Sequence, residues 1–337
     1  MNHDAVYENN VVTRKKITEI FSKDEIKSLT QRSDVRGALA IASTWATIGA
    51  TLGVMAWATS QPLWVSIPVY IGGIAVLGGR QLGLAILTHE ATHNTLFDNR
   101  QLNNQLTDWL CARPIGLDLE KYRAHHFIHH TKTGTEDDTD ISLIKDLPTT
   151  RPSLLRKFFR DLTGQTGLKF LAGRVLMDAE LMKWTVATDI EWLPRDGRTL
   201  SHYVQTYFKN ATPTILTNAA LFGALWAAGH PKLYLAWVAA YLIPYPFFIR
   251  VRALAEHAGT EMSPDMFKNT RTTKAGWIAR TFVAPFNVNF HIEHHVLASV
   301  PFYRLPRMHR MLRERNIVEA PPSYLDVMQI VSSAEKS

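Results

Sequence analysis

A single cysteine, Cys111, in 337 residues excludes an intramolecular disulfide and any metal site built on several thiolates. Charge is missing from one long stretch. No Asp, Glu, Lys or Arg occurs between Ala38 and Gly79. One ordinary membrane helix uses about 20 residues, so this run suits two. The first 36 residues lack the apolar core of a secretory signal peptide, and the N-terminus is expected to stay in the cytoplasm. There is no internal repeat and no nucleic-acid-binding motif. The net charge of +7 therefore points to anionic lipid headgroups or an acidic protein partner, and no nucleic acid is expected.

The mean hydropathy of −0.09 averages strongly apolar blocks with strongly polar ones. The first block breaks at Ser60-Gln61-Pro62, giving spans near 38–59 and 63–88. A second block from Ala211 to Ile249 breaks at Gly229-His230-Pro231-Lys232, giving spans near 211–228 and 233–249. Basic residues flank the opposite ends: Arg32, Arg36, Arg80, Lys209, Arg250 and Arg252. Lysine and arginine near span ends favour the cytoplasmic side. The expected architecture is an all-α integral membrane protein of the inner membrane. It has four transmembrane helices in two hairpins, a cytoplasmic helical cap, and both termini cytoplasmic. The expected division is an N-terminal segment 1–37, a membrane domain 38–310 and a tail 311–337. Residues 150–210, with Trp184 and Trp192, read as an interfacial amphipathic cover. Residues 303–316 read as a basic amphipathic helix. Trp45, Trp57 and Trp64 are candidates for tunnel lining or for packing and interface anchoring.

Histidine is the informative residue. There are 14, and most are clustered. His89 and His93 stand at i and i+4, on one helical face. His125-His126-Phe127-Ile128-His129-His130 follows, then His291-Ile292-Glu293-His294-His295. The last two clusters fit i, i+3, i+4. His129 and His130 are about 100° apart on a helix, so one helix can offer imidazoles to two adjacent ions. The middle cluster can be read from His125 or from His126. We prefer His126 and keep His125 as the alternate ligand. His257 follows the fourth span and is a ninth candidate. One zinc needs three or four ligands, so this set suits two metal ions. Glu90, Asp137, Asp138, Asp140, Glu256, Asn289 and Glu293 are candidate partners for ligand N–H groups, because metal-bound histidine usually donates its second N–H to an oxygen. For the acidic run 137–140 a solvated loop is an equal alternative. His3, His202, His230 and His309 are isolated and are read as background.

At these residues the chain resembles the membrane fatty acid desaturase superfamily, with its three histidine boxes H-x(3–4)-H, H-x(2–3)-H-H and H-x-x-H-H. Arg123-Ala124-x-His126, Thr135-Glu136-Asp137-Asp138 and Asn289-Phe290-His291-x-Glu293-His294-His295, then Pro301 and Leu305-Pro306, are similar to the sequences around those boxes. The resemblance covers about residues 38–310. It implies four membrane helices, a cytoplasmic cap and two irons held by His89, His93, His126, His129, His130, His291, His294 and His295, with His257 matching an extra family histidine. Some acyl-CoA desaturases carry an asparagine four residues before that histidine. Ala253 stands there in this chain, so that ligand is left unassigned.

The resemblance implies a di-iron, O2-dependent oxidoreductase that introduces a double bond into a fatty acyl or related lipid chain. Hydroxylation or a carotenoid-type ketolation on the same site is the alternative. No haem or ferredoxin domain is evident, so electrons are expected from a separate ferredoxin, rubredoxin or haem protein. A different class, a membrane zinc metalloprotease, is the remote alternative, through His89-Glu90-x-x-His93.

Overall fold

The computed structural model describes residues 17–334. Residues 1–16, including His3 and the first part of the expected N-terminal segment, lie outside the described residues. Among the described residues there is no β-strand, only isolated bridges such as Thr150 with Ser333.

The uncharged run forms a helical hairpin. Helix α1 spans Asp34–Ala58 and α2 spans Leu63–Thr92. Ser33 caps α1 by accepting a hydrogen bond from the Arg36 N–H. The Asp34 carboxylate accepts from the Asp98 and Asn99 N–H groups, tying the start of α1 to the loop beyond α2. Thirty residues of α2 rise about 45 Å, against a hydrocarbon layer of about 30 Å. His89 lies in the last turn of α2. Trp57 and Trp64 flank the hairpin turn and are exposed. Trp45 instead stacks with Trp237, ring centroids 6.3 Å apart, and donates Nε1–H to the Leu110 carbonyl.

The second apolar block departs from two simple helices. Helix α6 covers Leu200–Ala227 and begins eleven residues before the expected span. The expected span 233–249 is two helices, α7 (Tyr234–Leu242) and α8 (Pro244–His257). Pro244 and Pro246 lack the N–H groups that a continuous helix would use, and Ile243 leaves helical geometry at φ −112°, ψ −76°. Three helical segments are long and apolar enough to cross a membrane: Lys23–Ala58, Leu63–Thr92 and Pro231–His257. Helix α6 is long enough, but Thr212, Thr214, Thr217 and Asn218 make it more polar.

Close packing brings these helices together. At Gly78 a Cβ would meet Pro244 at 2.7 Å, and at Gly79 one would meet the Thr281 carbonyl at 2.7 Å. Only glycines let α8 and the short helix α9 (Trp277–Phe282) lie this near to α2.

The polar segments are helical too. They are α3 (Leu119–Lys132), α4 (Arg151–Leu162), α5 (Gln165–Asp178), α10 (His291–Val296), α11 (Leu305–Glu314) and α12 (Tyr324–Val331). Helix α4 leaves Leu155 and Phe159 exposed beside Arg156 and Arg160. Helix α11 is amphipathic as expected. It buries Leu305, Met308 and Leu312 and turns Arg307, Arg310 and Arg313 outward. The expected boundary at 310 cuts through α11. Beyond it, Val327 and Val331 of α12 are fully buried with Leu154, Leu254 and Ala258, so the tail is part of the body.

Candidate metal centre

Three helix ends and one short helix converge below the α1–α2 hairpin. His89 and His93 come from the end of α2, His126, His129 and His130 from α3, His257 from the end of α8, and His291, His294 and His295 from α10. All nine side chains are buried. They sort into two groups. His89, His93, His126, His130 and His294 form one, and His129, His257, His291 and His295 form the other. Within each group every histidine offers one ring nitrogen, and these nitrogens lie within 4.8 Å of one another. Adjacent residues on one helix thus enter different groups: His130 and His129 on α3, His294 and His295 on α10. The stacked rings of His130 and His295, 4.2 Å apart, join the two groups.

The local folding has identifiable causes. Arg123 donates to the Ala91 and Thr92 carbonyls at the end of α2 and to Asn104 Oδ1. Its motif with His126 therefore pins α3 against α2. The Asn269–Thr273 segment ties the other elements. Asn269 Nδ2–H donates to the Thr133 carbonyl after α3, and its own carbonyl accepts from His257 Nδ1–H at 3.2 Å. Thr272 accepts from the Ile292 N–H and donates to Glu293 Oε2. Asn289 Nδ2–H donates to the Thr273 carbonyl, so Asn289 holds this segment to α10 rather than touching a histidine ring.

The acidic candidates take different places. Asp138 Oδ1 lies 2.7 Å from His129 Nδ1. A carboxylate only accepts, so Nδ1 carries a proton, and in the neutral ring Nε2 keeps its lone pair. Glu256 binds Arg252 at 2.7 Å and lies 3.6 Å from His291 Nδ1. Glu90 accepts from Thr95 Oγ1–H and from the Phe302 N–H, and lies 3.8 Å from His89 Nδ1. Glu293, fully buried, accepts from Thr272 and from His309 Nδ1–H at 2.7 Å. Asp137 is not brought in. It is exposed and faces Lys132. His125 also stands apart, because its Nε2–H donates to Asp140 at 2.8 Å. The background reading of His309 is corrected by its bond to Glu293. Asp140, also a candidate from the sequence, is brought in beside His125 and His129, and Asn269 and Thr272 join the surroundings of the site without having been signalled in the sequence.

The ring nitrogens converge more than hydrogen bonds can explain. His126 Nε2 is 3.0 Å from both His93 Nε2 and His130 Nε2, and His130 Nε2 is 3.0 Å from His294 Nε2. In the other group, His291 Nε2 lies 2.8 Å from His257 Nε2 and 3.0 Å from His295 Nε2. A neutral imidazole carries one N–H, so a nitrogen facing two others cannot satisfy both. Both nitrogens of His89 are buried without a partner. Such buried polar groups are costly unless something accepts their lone pairs. A cation in each group fits this arrangement, and an all-imidazole set suits zinc, copper, iron or nickel.

Electrostatics support metal binding. Burial and neighbouring imidazoles hold His126, His130, His291, His294 and His295 well below the ordinary histidine pKa, so they are neutral with lone pairs available. At His129 burial also lowers the pKa, but Asp140 and Asp138 outweigh it and the net shift is upward. Burial raises the Asp140 carboxyl, and His129 and His125 more than reverse this, bringing it down to about 2.

A family model described as fatty acid desaturase matches residues 65–327. The chain is 26% identical over 317 residues to dihydrorhizobitoxine desaturase of Bradyrhizobium elkanii, covering 86% of this chain and 80% of that protein. It is 26% identical to the beta-carotene ketolase of Paracoccus sp. (strain PC1), over 69% of this chain and 76% of that one. It is 24% identical to the sphingolipid delta(4)-desaturase of Drosophila melanogaster, over 74% and 67%.

Proposed function

The chain belongs to the fatty acid desaturase family, and from that premise we propose that it is a di-iron, O2-dependent oxidoreductase that introduces a double bond into a fatty acyl or related lipid chain. The observation that carries this reading is the pair of buried imidazole groups, five histidines beside four. His89, His93, His126, His130 and His294 would hold one iron, and His129, His257, His291 and His295 the other. Two bound irons would supply the O2-dependent redox chemistry that oxidises an unactivated C–H bond.

The protein's own part is to hold and shield. Asp138 and the Asn269 carbonyl fix the Nδ1–H tautomers of His129 and His257, which leaves each Nε2 directed inward. Arg123 clamps the last carbonyls of α2, so His89 and His93 keep their register against α3. Burial of all nine rings excludes bulk water from the centre.

Four membrane crossings, by α1, α2, α6 and α7–α8, are part of the same proposal. Helix α1 touches the segment 231–233, which supports both turns lying on one side of the membrane. The histidine-bearing ends then share the other side with Arg32, Arg36, Arg250 and Arg252. Positive charge there supports a cytoplasmic active site and cytoplasmic termini in an inner membrane. A separate ferredoxin, rubredoxin or haem protein would deliver electrons, and the outward arginines of α11 suit an acidic donor.

Two of the relatives named above are desaturases and one is a ketolase, so oxygen insertion by the same histidines is the second reading. A zinc hydrolase has less support. Glu90, its required general base, is engaged by Thr95 and Phe302. Expression in a host followed by lipid mass spectrometry decides. A species short of two hydrogens supports desaturation, and one gaining an oxygen atom supports the second reading. Unchanged lipids from iron-loaded protein supplied with donor and O2 would sink both.

A further inference from the structure

Beside the first histidine group, two buried donors have nothing to donate to among the described residues. Arg174 lies on α5, and its Nε is buried without a partner. The indole Nε1 of Trp184 is buried without one as well. The Arg174 guanidinium carbon sits 5.3 Å from the centroid of the Trp184 ring, so the cation is stacked on the indole. The Trp184 ring is 6.1 Å from Tyr122, and Tyr122 is 5.5 Å from His126. The indole N–H therefore stands one aromatic ring, and the held positive charge two rings, away from a histidine of the centre. Asp178 follows one turn later on α5 and feels that charge without forming an ion pair with it.

Leaving a buried donor unmade costs on the order of 1–3 kcal/mol, and more for a charged group. Two such donors side by side are a poor choice for packing alone, and a good one for an acceptor that arrives from outside. Guanidinium matches the planar oxygens of carboxylate and phosphate. A membrane-resident lipid keeps its ionised head at the boundary while its chain stays in apolar surroundings. Trp184 meets both needs, because it also packs on the apolar cluster that contains Leu117, Leu225 and Trp237.

We propose that Arg174 and Trp184 form the head-group subsite, taking the anionic oxygen head, carboxylate or phosphate, of a single-chain lipid whose tail runs past Tyr122 toward the histidines. This rests on the lipid-oxidising reading above for its purpose, though not for its chemistry.

The test is equilibrium binding of palmitate, hexadecyl phosphate and methyl palmitate to the purified full-length protein. At least one of the acids should bind about tenfold or more tighter than the ester. The tighter acid identifies the head. Arg174→Gln should bring the acid-to-ester ratio close to one, Arg174→Lys should keep part of it, and Trp184→Phe should lower it less than Arg174→Gln does. Methyl palmitate binding by each variant reports that it is folded. If Arg174→Gln fails that check, the Trp184→Phe ratio decides in its place. Equal binding of acid and ester by the unaltered protein, or a ratio that these substitutions do not move, overturns the subsite. Binding is read without turnover. A chain that selects the acid through Arg174 but oxidises no lipid overturns the proposed reaction alone.

Discussion

In the four-histidine group, His129 and His257 each donate Nδ1–H to a fixed oxygen, Asp138 in one case and the Asn269 carbonyl in the other. In the five-histidine group, His89 has both ring nitrogens buried without a partner, and Glu90 lies 3.8 Å off, engaged elsewhere. The same residue type is thus positioned in two ways. Around His129 and His257, outer oxygens set the tautomer and the ring angle. Around His89, the helix sets position: α2 is clamped at its end by Arg123 and Asn103, which both bond the Ala91 carbonyl. The lesson is that an imidazole can be aimed either by its own second nitrogen or by a rigid backbone beneath it.

The largest effect expected is loss of a ring. His89→Ala and His295→Ala remove one imidazole from each group. Each variant should retain one iron where two are expected in the unaltered protein, and each should lose its product in lipid mass spectrometry. Elemental analysis of the purified variants checks this. If either variant keeps both irons, the division into five and four is wrong.

A smaller effect separates the two ways of aiming. Asp138→Asn leaves an oxygen near His129 but removes its charge, and a fall of roughly 10–100-fold in iron affinity or turnover is expected. Glu90→Gln should do less. Its oxygen can still accept from the Phe302 N–H and Thr95, and it makes no hydrogen bond to His89. Iron-competition titrations of the two variants compare them directly. Equal losses would mean that His89 depends on Glu90 as His129 does on Asp138.

Much of this centre is legible in the chain, because its ligands are dense and periodic. His126, His129 and His130 repeat at i, i+3, i+4, as do His291, His294 and His295, and any helix would put each set on one face. The uncharged run is equally plain. What is not legible depends on contacts made across the fold. Phe302 reaches Glu90 over 212 positions, and Asn269 reaches Thr133 over 136. His309 looks isolated in the sequence because its partner, Glu293, lies on a different helix. Asp137 and Asp138 are neighbours of one charge, and only the turn after α3 decides that Asp138 faces His129 while Asp137 faces water. The division of adjacent histidines between two groups could be suspected from their angle about the helix. Which ring joins which group requires α8 and α10 to be in place.

Acidification should expose the same contrast with the mildest effect. An imidazolium cannot bind a metal, so a proton competes with iron at each ring. His126, His130 and His294 in the five-membered group are held well below the ordinary histidine pKa, chiefly by burial. They stay neutral far into acid. At His129 burial works in the same direction, but Asp140 and Asp138 overcome it, and the pKa rises above the ordinary value of 6.5. Asp140 is itself held down to about 2, so its charge persists as the pH falls. Iron affinity at the four-membered group is therefore fully present above the raised His129 value and weakens as pH drops through it, before the five-membered group responds. Stepwise acidification with iron measured after each dialysis should release one iron first, then the second at lower pH. Asp138→Asn weakens the site at neutral pH, yet it should move the first release to lower pH by removing one of the charges that favour the proton. Simultaneous loss of both irons, or a first release unmoved by Asp138→Asn, would show that the outer carboxylates do not set the protonation of this centre.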